Sequence, residues 1–208
     1  MMRIRSGDFE DGGRIPTELA FCQPHPETRV VLSENINPEL GWGGEPEATK
    51  SFVLICRDPN VPVERRDVNR EGKVLEANLP RSDFFHWVLV DIPRDLRHIE
   101  QGIDCDGVTP GGKEAGPCSH GARRGLNDYS TWFDPGDSMA GSYFGYDGPC
   151  PPWNDSMAHR YIFTVYALDT ERCPVGREFD GRDVVAAIQG HILDEASITG
   201  FYSLNPNL

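Results

Sequence analysis

Two histidines, one aspartate and one tyrosine in this sequence could take part in acid–base chemistry, metal binding or hydrogen bonding. His159 directly precedes a run of aromatic and β-branched residues, 161–168, which is typical of a strand buried on both faces. The preceding segment 148–153 contains three prolines and is predicted to be a stiff loop, because proline fixes φ and lacks an N–H. Side chains alternate across a strand, so His159 and Tyr161 are predicted to begin the same face.

His86 lies inside another apolar run, FFHWVLVDIP at residues 84–93, which we interpret as a strand. Strict alternation places His86 on one face with Val88 and Val90, and Trp87 on the other face. A single histidine on an apolar strand is more often packed in the core than functional. His86 becomes a candidate because a second histidine begins a strand elsewhere.

Asp58 follows the apolar run SFVLICR at residues 51–57 and precedes a proline. We predict that it lies at the C-terminal end of a strand, where an aspartate usually accepts hydrogen bonds from a local turn. The polar segment 63–83 is predicted to be a long surface insertion. Asp58 and His86 therefore belong to consecutive strands.

The C-terminal part contains a predicted helix and a predicted strand. Apolar residues recur at close to helical spacing between 184 and 193, and the predicted helix includes His191. Asp180 or Asp183 can cap it. The segment ASITGFYSL, residues 196–204, is predicted to be a closing strand.

Composition limits the fold and the partners. The chain has 208 residues with 22 glycines and 17 prolines, and its apolar runs are short, which favours a mainly β fold in one domain over residues 1–208. Its net charge of -13 disfavours binding to nucleic acid or anionic membranes. The N-terminus has no signal-like apolar region and no apolar run can span a bilayer, so we expect a cytoplasmic protein without a transmembrane segment.

Six cysteines are present, and none forms a CxxC motif. Cys56 lies in an apolar run, and free thiols are expected in a reducing compartment. Cys118 and His120 are one residue apart but have no partner pair at zinc spacing, so no structural zinc site is predicted. We expect neither a metal nor another cofactor.

Four motifs occur in order: DPNVP at residues 58–62, FFHWVLVDIP, GYDGPCPPWND at 145–155 and HRYIFTVYALD at 159–169. With the helical segment and ASITG that follow, they resemble the phosphatidylethanolamine-binding protein family, most closely its bacterial branch, which is related to Raf kinase inhibitor protein. The resemblance covers about residues 9–202. It implies a β-sandwich of antiparallel sheets with a few peripheral helices, one of them near the C-terminus.

The resemblance also implies a pocket at one end of the sandwich for a small anion, such as phosphate, acetate or a phospholipid head group. Imidazole, phenol and backbone N–H groups of the glycine-containing loop would donate hydrogen bonds to the anion, and Asp58 would orient or protonate a histidine. We expect His86 and His159 on adjacent strands with both rings at the cavity mouth. By the resemblance of these motifs, the expected site residues are Asp58, Pro62, Phe84, His86, Gly148, Pro151, Pro152, His159 and Tyr161.

Three positions depart from the family pattern. Asn60 replaces a second acid, Phe84 replaces a frequent tryptophan, and Cys150 stands where many relatives have glycine. The pocket is therefore expected to be less acidic and differently shaped, and the kinase inhibition of animal relatives is not carried over. We predict a regulatory binding protein without catalytic residues, assembled as a homodimer.

Two other functions stay open. Asp58, His86 and His159 could form a two-histidine, one-carboxylate metal site and make the protein a metalloenzyme, although the spacing lacks an HxxxH or HxD chelate. Alternatively, the protein is an interaction module with a vestigial pocket. The anion pocket is preferred because Tyr161 and the proline-rich walls suit a ligand cavity. A serine hydrolase is weaker still because the sequence contains no GxSxG motif.

Overall fold

The computed structural model describes residues 1–116, 118 and 120–208, and strands predominate in it. Within these residues one α-helix, α1, covers Gly181–Ala187, and two 3-10 helices cover Thr17–Leu19 and Asp128–Thr131. The strands are β1 (Arg3–Arg5), β2 (Gly13–Arg14), β3 (Cys22–His25), β4 (Arg29–Leu32), β5 (Leu40–Gly43), β6 (Ser51–Pro62), β7 (Arg81–Pro93), β8 (His98–Ile99), β9 (Arg123–Arg124), β10 (His159–Leu168) and β11 (Ile192–Tyr202).

The described strands form three sheets. A six-stranded sheet has the order β2-β11-β10-β6-β7-β9, a three-stranded sheet has the order β1-β5-β8, and β3 pairs with β4. Neighbouring strands are antiparallel, except that β2 runs parallel to β11 and pairs only with Gly200 and Phe201. The predicted mainly β architecture of antiparallel sheets with few helices is confirmed, with β2–β11 as an unpredicted parallel pair.

The six-stranded sheet is covered on both faces. Phe52 and Leu54 of β6 belong to a large core between this sheet and the smaller sheets, which we call the first core. Val53 and Ile55 point the other way, into a second core that includes Val184 of α1. Burial on both faces explains why β6 has a continuous apolar sequence instead of an alternating one.

β7 contains an extra residue at His86. The partners of two consecutive residues in β6 are Trp87 and Phe85, so His86 between them has no partner in that register. Such a β-bulge reverses the alternation on either side of it. Trp87 therefore packs in the first core and Val88 and Val90 in the second. The predicted face shared by His86, Val88 and Val90 is wrong for this reason.

β6 does not end at Asp58, as predicted, but continues to Pro62. Its pairing with β7 is irregular between Asp58 and Val61, so the strand tolerates the two prolines of DPNVP next to a disrupted ladder. The insertion that follows is mostly exposed, as predicted. Leu75 is an exception, because it is buried and forms a bridge with Asp155.

α1 is shorter than predicted. Asp180 is its N-cap, and its side chain forms a capping box with Asp183. Gly190 lies in the following turn with φ of 83°, and His191 belongs to this turn instead of the helix. β11 then begins at Ile192, so the closing strand is confirmed but starts earlier than residue 196.

Cys22 and Cys150 form a disulfide, so the prediction of six free thiols is wrong. These residues are 128 positions apart, and nothing in their local sequence indicates the pairing. No helix within the described residues is long and apolar enough to cross a membrane. Disulfides are typical of proteins in oxidising compartments. The Cys22–Cys150 bond therefore argues against the cytoplasmic location predicted from the sequence. The free cysteines are Cys56, Cys105, Cys118 and Cys173.

Candidate ligand-binding site

A small cavity opens on the first-core side of the six-stranded sheet. Because β6 runs antiparallel to β7 and β10, its C-terminal half lies beside the beginnings of both neighbours. This topology brings the motifs DPNVP, FFHW and HRY together. The cavity is lined by Asp58, Val61, Phe84, His86, Tyr129, Trp132, Cys150, Pro151, Pro152, His159 and Tyr161.

His159 lies between two buried carboxylates. Its Nδ1 is 2.6 Å from Oδ2 of Asp58, and its Nε2 is 3.1 Å from Oδ2 of Asp155. Burial disfavours the charged imidazole, but the charge of Asp58 and the hydrogen bonds to both carboxylates raise the pKa of His159 to about 9. The imidazolium therefore donates both N–H groups to protein carboxylates.

Arg81 completes this buried network from the far side of Asp155. Its guanidinium binds both carboxylate oxygens of Asp155 and also donates to the carbonyl of Asn60. Burial raises the pKa of Asp155, but the hydrogen bonds from His159 and Arg81 outweigh it and hold that pKa below its usual value. Two carboxylates and two cations leave the network without net charge.

Asn60 and the second oxygen of Asp58 stabilise the local chain. Oδ1 of Asp58 accepts a hydrogen bond of 2.7 Å from the backbone N–H of Asn60. The side-chain oxygen of Asn60 in turn accepts one of 3.0 Å from the backbone N–H of Arg160. Asn60 thus links β6 to β10 without adding another charge.

His86 has a different environment. Its Nδ1 donates to the carbonyl oxygen of Asp147 over 2.8 Å, and its Nε2 has no hydrogen-bond partner among the described residues. Burial lowers the pKa of His86, an effect only partly offset by the charge of Asp58. At neutral pH the ring is therefore uncharged, and Nε2 is an unoccupied acceptor at the cavity wall.

Tyr161 lies next to His86, with ring centroids 5.1 Å apart in an edge-on arrangement. Its hydroxyl forms no hydrogen bond with any residue that the structure describes. Burial raises the pKa of Tyr161 well above its ordinary value, and the charge of Asp58 adds to this effect. The phenol therefore keeps its proton and can donate it to a ligand oxygen.

The loop before β10 forms a wall, but its glycine offers no free donor. The N–H of Gly148 donates to the side chain of Asn35 over 2.8 Å, and its carbonyl accepts from Tyr129. A Cβ on Gly148 would lie 2.1 Å from the carbonyl oxygen of Leu19, so only glycine permits this close approach. The expected anion-binding N–H of this residue is therefore used within the protein.

The cavity contains most of the predicted site residues, but Pro62 and Gly148 do not line it. His86 and His159 lie on β7 and β10, which are separated by β6, so the prediction of adjacent strands is wrong. The register explains this, because β6 pairs with both strands. His159 is also fully buried instead of lying at the cavity mouth.

Several residues of the site were not predicted. Tyr129 and Trp132 enter from the irregular segment between β9 and β10, and Val61 of β6 also lines the cavity. The disulfide that links Cys150 to Cys22 is not predicted either. Asp155 supports His159 without lining the cavity. Asp155 had one available signal: it lies four residues before His159, at the end of the proline-rich loop.

The family model for phosphatidylethanolamine-binding protein matches residues 5–203. The chain belongs to this family. A UPF0098 protein of Methanothermobacter thermautotrophicus is 33% identical, with 97% of this chain and 98% of the relative covered. The UPF0098 protein YbhB of Escherichia coli is 32% identical, with 97% and 100% covered.

A solved structure agrees with this assignment. The crystal structure of E. coli YbcL, described as a member of the mammalian PEBP family, superposes with a TM-score of 0.69 at 27% identity, covering 97% of this chain and 98% of that one. The predicted family and fold are thereby confirmed. Membership in the phosphatidylethanolamine-binding family supports a ligand-binding, regulatory kind of protein.

Proposed function

We propose that the cavity of this phosphatidylethanolamine-binding family member binds a small anion or an anionic head group, such as phosphate, acetate or the head group of a phospholipid. The observation that carries the proposal is the contrast between the two histidines. Both nitrogens of His159 are bonded to carboxylates, whereas His86 and Tyr161 present polar atoms at the same cavity that have no hydrogen-bond partner among the described residues.

The neutral network beneath the cavity makes an anion acceptable there. An isolated Asp58 would repel an anion, but His159 pairs with it and Arg81 compensates Asp155. Aromatic and proline side chains form the remaining walls, so a hydrogen bond inside the cavity is little weakened by water. Affinity must arise from these short-range contacts, because a net charge of -13 opposes anions at long range.

The donors differ in their dependence on pH. Tyr161 donates its hydroxyl over the whole range in which it stays protonated. His86 donates through Nε2 only when it gains a proton, or accepts at Nε2 from a ligand that carries one. The complex therefore contains one proton more than free, neutral His86 and the free, ionised ligand contain together. Affinity is expected to rise as the pH falls towards the lowered pKa of His86.

Calorimetry with phosphate, phosphoethanolamine and acetate tests this. Tyr161→Phe should lose about ten- to hundredfold in affinity, which corresponds to one hydrogen bond to a charged group of ~1.5–3 kcal/mol. His86→Ala should bind weakly and without pH dependence. Tyr166→Phe and His191→Ala are matched controls outside the cavity and should bind like wild type. Equal affinity in all four variants would refute the proposal.

The metalloenzyme alternative has less support. His159 would have to give up one of its two carboxylate hydrogen bonds to bind a metal. Within the described residues, the group of three potential ligands whose donor atoms all lie within 4.8 Å of one another is elsewhere. Comparing the metal content of His159→Ala with that of wild type would decide between the anion site and the metalloenzyme site. The vestigial-pocket alternative predicts no binding of any of the three anions and capture of a protein partner from extract.

A further inference from the structure

Three side chains with metal-binding atoms meet away from the ligand cavity. The carboxylate of Asp104, the thiol of Cys118 and the imidazole of His120 each place one ligand atom within 4.8 Å of the other two. None of them lines the cavity of the proposed anion site. The sequence alone places only Cys118 and His120 close together, with one residue between them. The fold brings in the carboxylate of Asp104 from a separate segment.

Asp104 is held firmly in a fixed position. Its Oδ2 accepts a hydrogen bond of 2.6 Å from Nε1 of Trp87, and its Oδ1 accepts one of 2.6 Å from Nε of Arg124. Both donors lie on strands, Trp87 on β7 and Arg124 on β9. Metal-binding side chains are commonly oriented by such outer hydrogen bonds. Asp104 thus has the support expected of a ligand.

Cys118 already points at this carboxylate. Its Sγ lies 3.6 Å from Oδ1 of Asp104, at the distance of a weak S–H hydrogen bond. A cation between the two atoms would replace the thiol proton. That proton would leave to solvent, and the resulting thiolate would be the ligand.

The buried imidazole of His120 is a second observation, which the contact between Asp104 and Cys118 does not explain. Both ring nitrogens are buried, and neither has a hydrogen-bond partner among the described residues. Leaving a buried polar group without a partner destabilises the fold. A bound metal ion would satisfy one of these nitrogens directly.

We propose that Asp104, Cys118 and His120 bind one Zn²⁺ ion. Zn²⁺ favours thiolate, imidazole and carboxylate ligands at about 2.0–2.3 Å, which places tetrahedral ligand atoms roughly 3.3–3.8 Å apart. The ligand atoms all lie within 4.8 Å of one another, so they need to approach by at most about 1–1.5 Å. One thiolate and one carboxylate offset the charge of the dication, and the site keeps one net positive charge because Arg124 also pairs with Asp104. A water molecule is the fourth ligand, since this part of the described chain supplies three.

The test uses Co²⁺ as a spectroscopic substitute for Zn²⁺ on the intact, non-reduced protein. Reductant is omitted because it would release Cys22 and Cys150 as competing thiols. One equivalent of Co²⁺ should produce a sulfur-to-cobalt charge-transfer band and the visible bands of tetrahedral cobalt. One equivalent of Zn²⁺ should remove both. Elemental analysis after dialysis against Zn²⁺ should give one ion per chain.

Variants assign the ligands. Cys118→Ser should abolish the charge-transfer band, and His120→Ala should weaken Co²⁺ binding at least tenfold. Cys173→Ser and His191→Ala are matched controls, because these residues lie outside the cluster, and should bind like wild type. Near-ultraviolet circular dichroism verifies that each variant is folded. A charge-transfer band retained in Cys118→Ser, or no stoichiometric binding by folded wild type at micromolar metal, would overturn the proposal. Acetate binding at the cavity is measured separately from metal binding, so the zinc proposal and the anion proposal are tested independently.

Discussion

The buried His159 network makes stability depend on pH in a window that few other groups share. Its pKa is raised to about 9 from 6.5, so the folded protein holds a proton that the unfolded chain releases. The resulting stabilisation is complete below pH 6.5 and is lost as the pH rises through 9. Between pH 7 and 8.5 the free energy of unfolding should fall by about 2 kcal/mol.

Other shifted groups act mainly outside this window. The pKa of His86 is lowered, so its contribution to stability is lost only as the pH falls below 6.5. Burial raises the pKa of the Cys105 and Cys173 thiols from 9.0 to about 11. Their stabilisation begins to be lost only near pH 9. The fall between pH 7 and 8.5 is therefore assigned to His159.

Urea titrations followed by tryptophan fluorescence at pH 7, 7.5, 8 and 8.5 measure this fall. A loss of about 2 kcal/mol corresponds to a decrease in Tm of roughly 4–8 °C for a chain of this size. Asp155→Asn removes one carboxylate from His159 and should move the fall to lower pH. Asp169→Asn, at the exposed pair with His191, is the matched control and should leave it unchanged. A wild-type stability that is constant from pH 7 to 8.5, or is unaffected by Asp155→Asn, would refute the reasoning.

Three further predictions concern the loop, the disulfide and the helix. Gly148→Ala should lower the free energy of unfolding by about 2–3 kcal/mol, because its Cβ would lie 2.1 Å from a backbone oxygen. Gly43→Ala is the control, because a Cβ at this position has no atom within 4 Å, and calorimetry measures both variants. Replacing Cys22 and Cys150 with serine should lower stability by up to about 5 kcal/mol for a separation of 128 residues, and a Tm equal to that of non-reduced wild type would contradict this. Asp180→Ala removes the helix cap and should cost about 1 kcal/mol in a urea titration.

The strands could be predicted where local composition determines them. The runs that became the centres of β6, β7 and β10 are apolar and β-branched, and no tertiary information is needed to recognise them. Their faces were harder to predict. One extra residue at His86 reverses the alternation in β7, and the cause lies in the pairing with β6 instead of in the residue itself.

The site was predictable as a set of residues, but not as a set of roles. His86 and His159 look similar in the sequence, since each belongs to a predicted apolar strand, His86 inside it and His159 at its start. Their roles diverge because Asp155 and Arg81 come together around one of them and a backbone carbonyl faces the other. These partners are distant along the chain or lie in irregular segments, where periodicity carries no information. The Cys22–Cys150 pairing is long-range in the same way.

The edge of the six-stranded sheet formed by β2 and β11 limits how the homodimer predicted from the sequence could assemble. β2 pairs with Gly200 and Phe201 of β11, and Gly12 and Asp11 bind the backbone of Thr199 beside them, so among the described residues the open part of this edge lies towards the beginning of β11. Asp194 and Glu195 lie along this open part. Two copies joined there in one continuous sheet would bring acidic side chains together, which discourages edge-to-edge aggregation. The homodimer predicted from the sequence is therefore expected to use side-chain surfaces and loops, with each sheet ending within its own subunit.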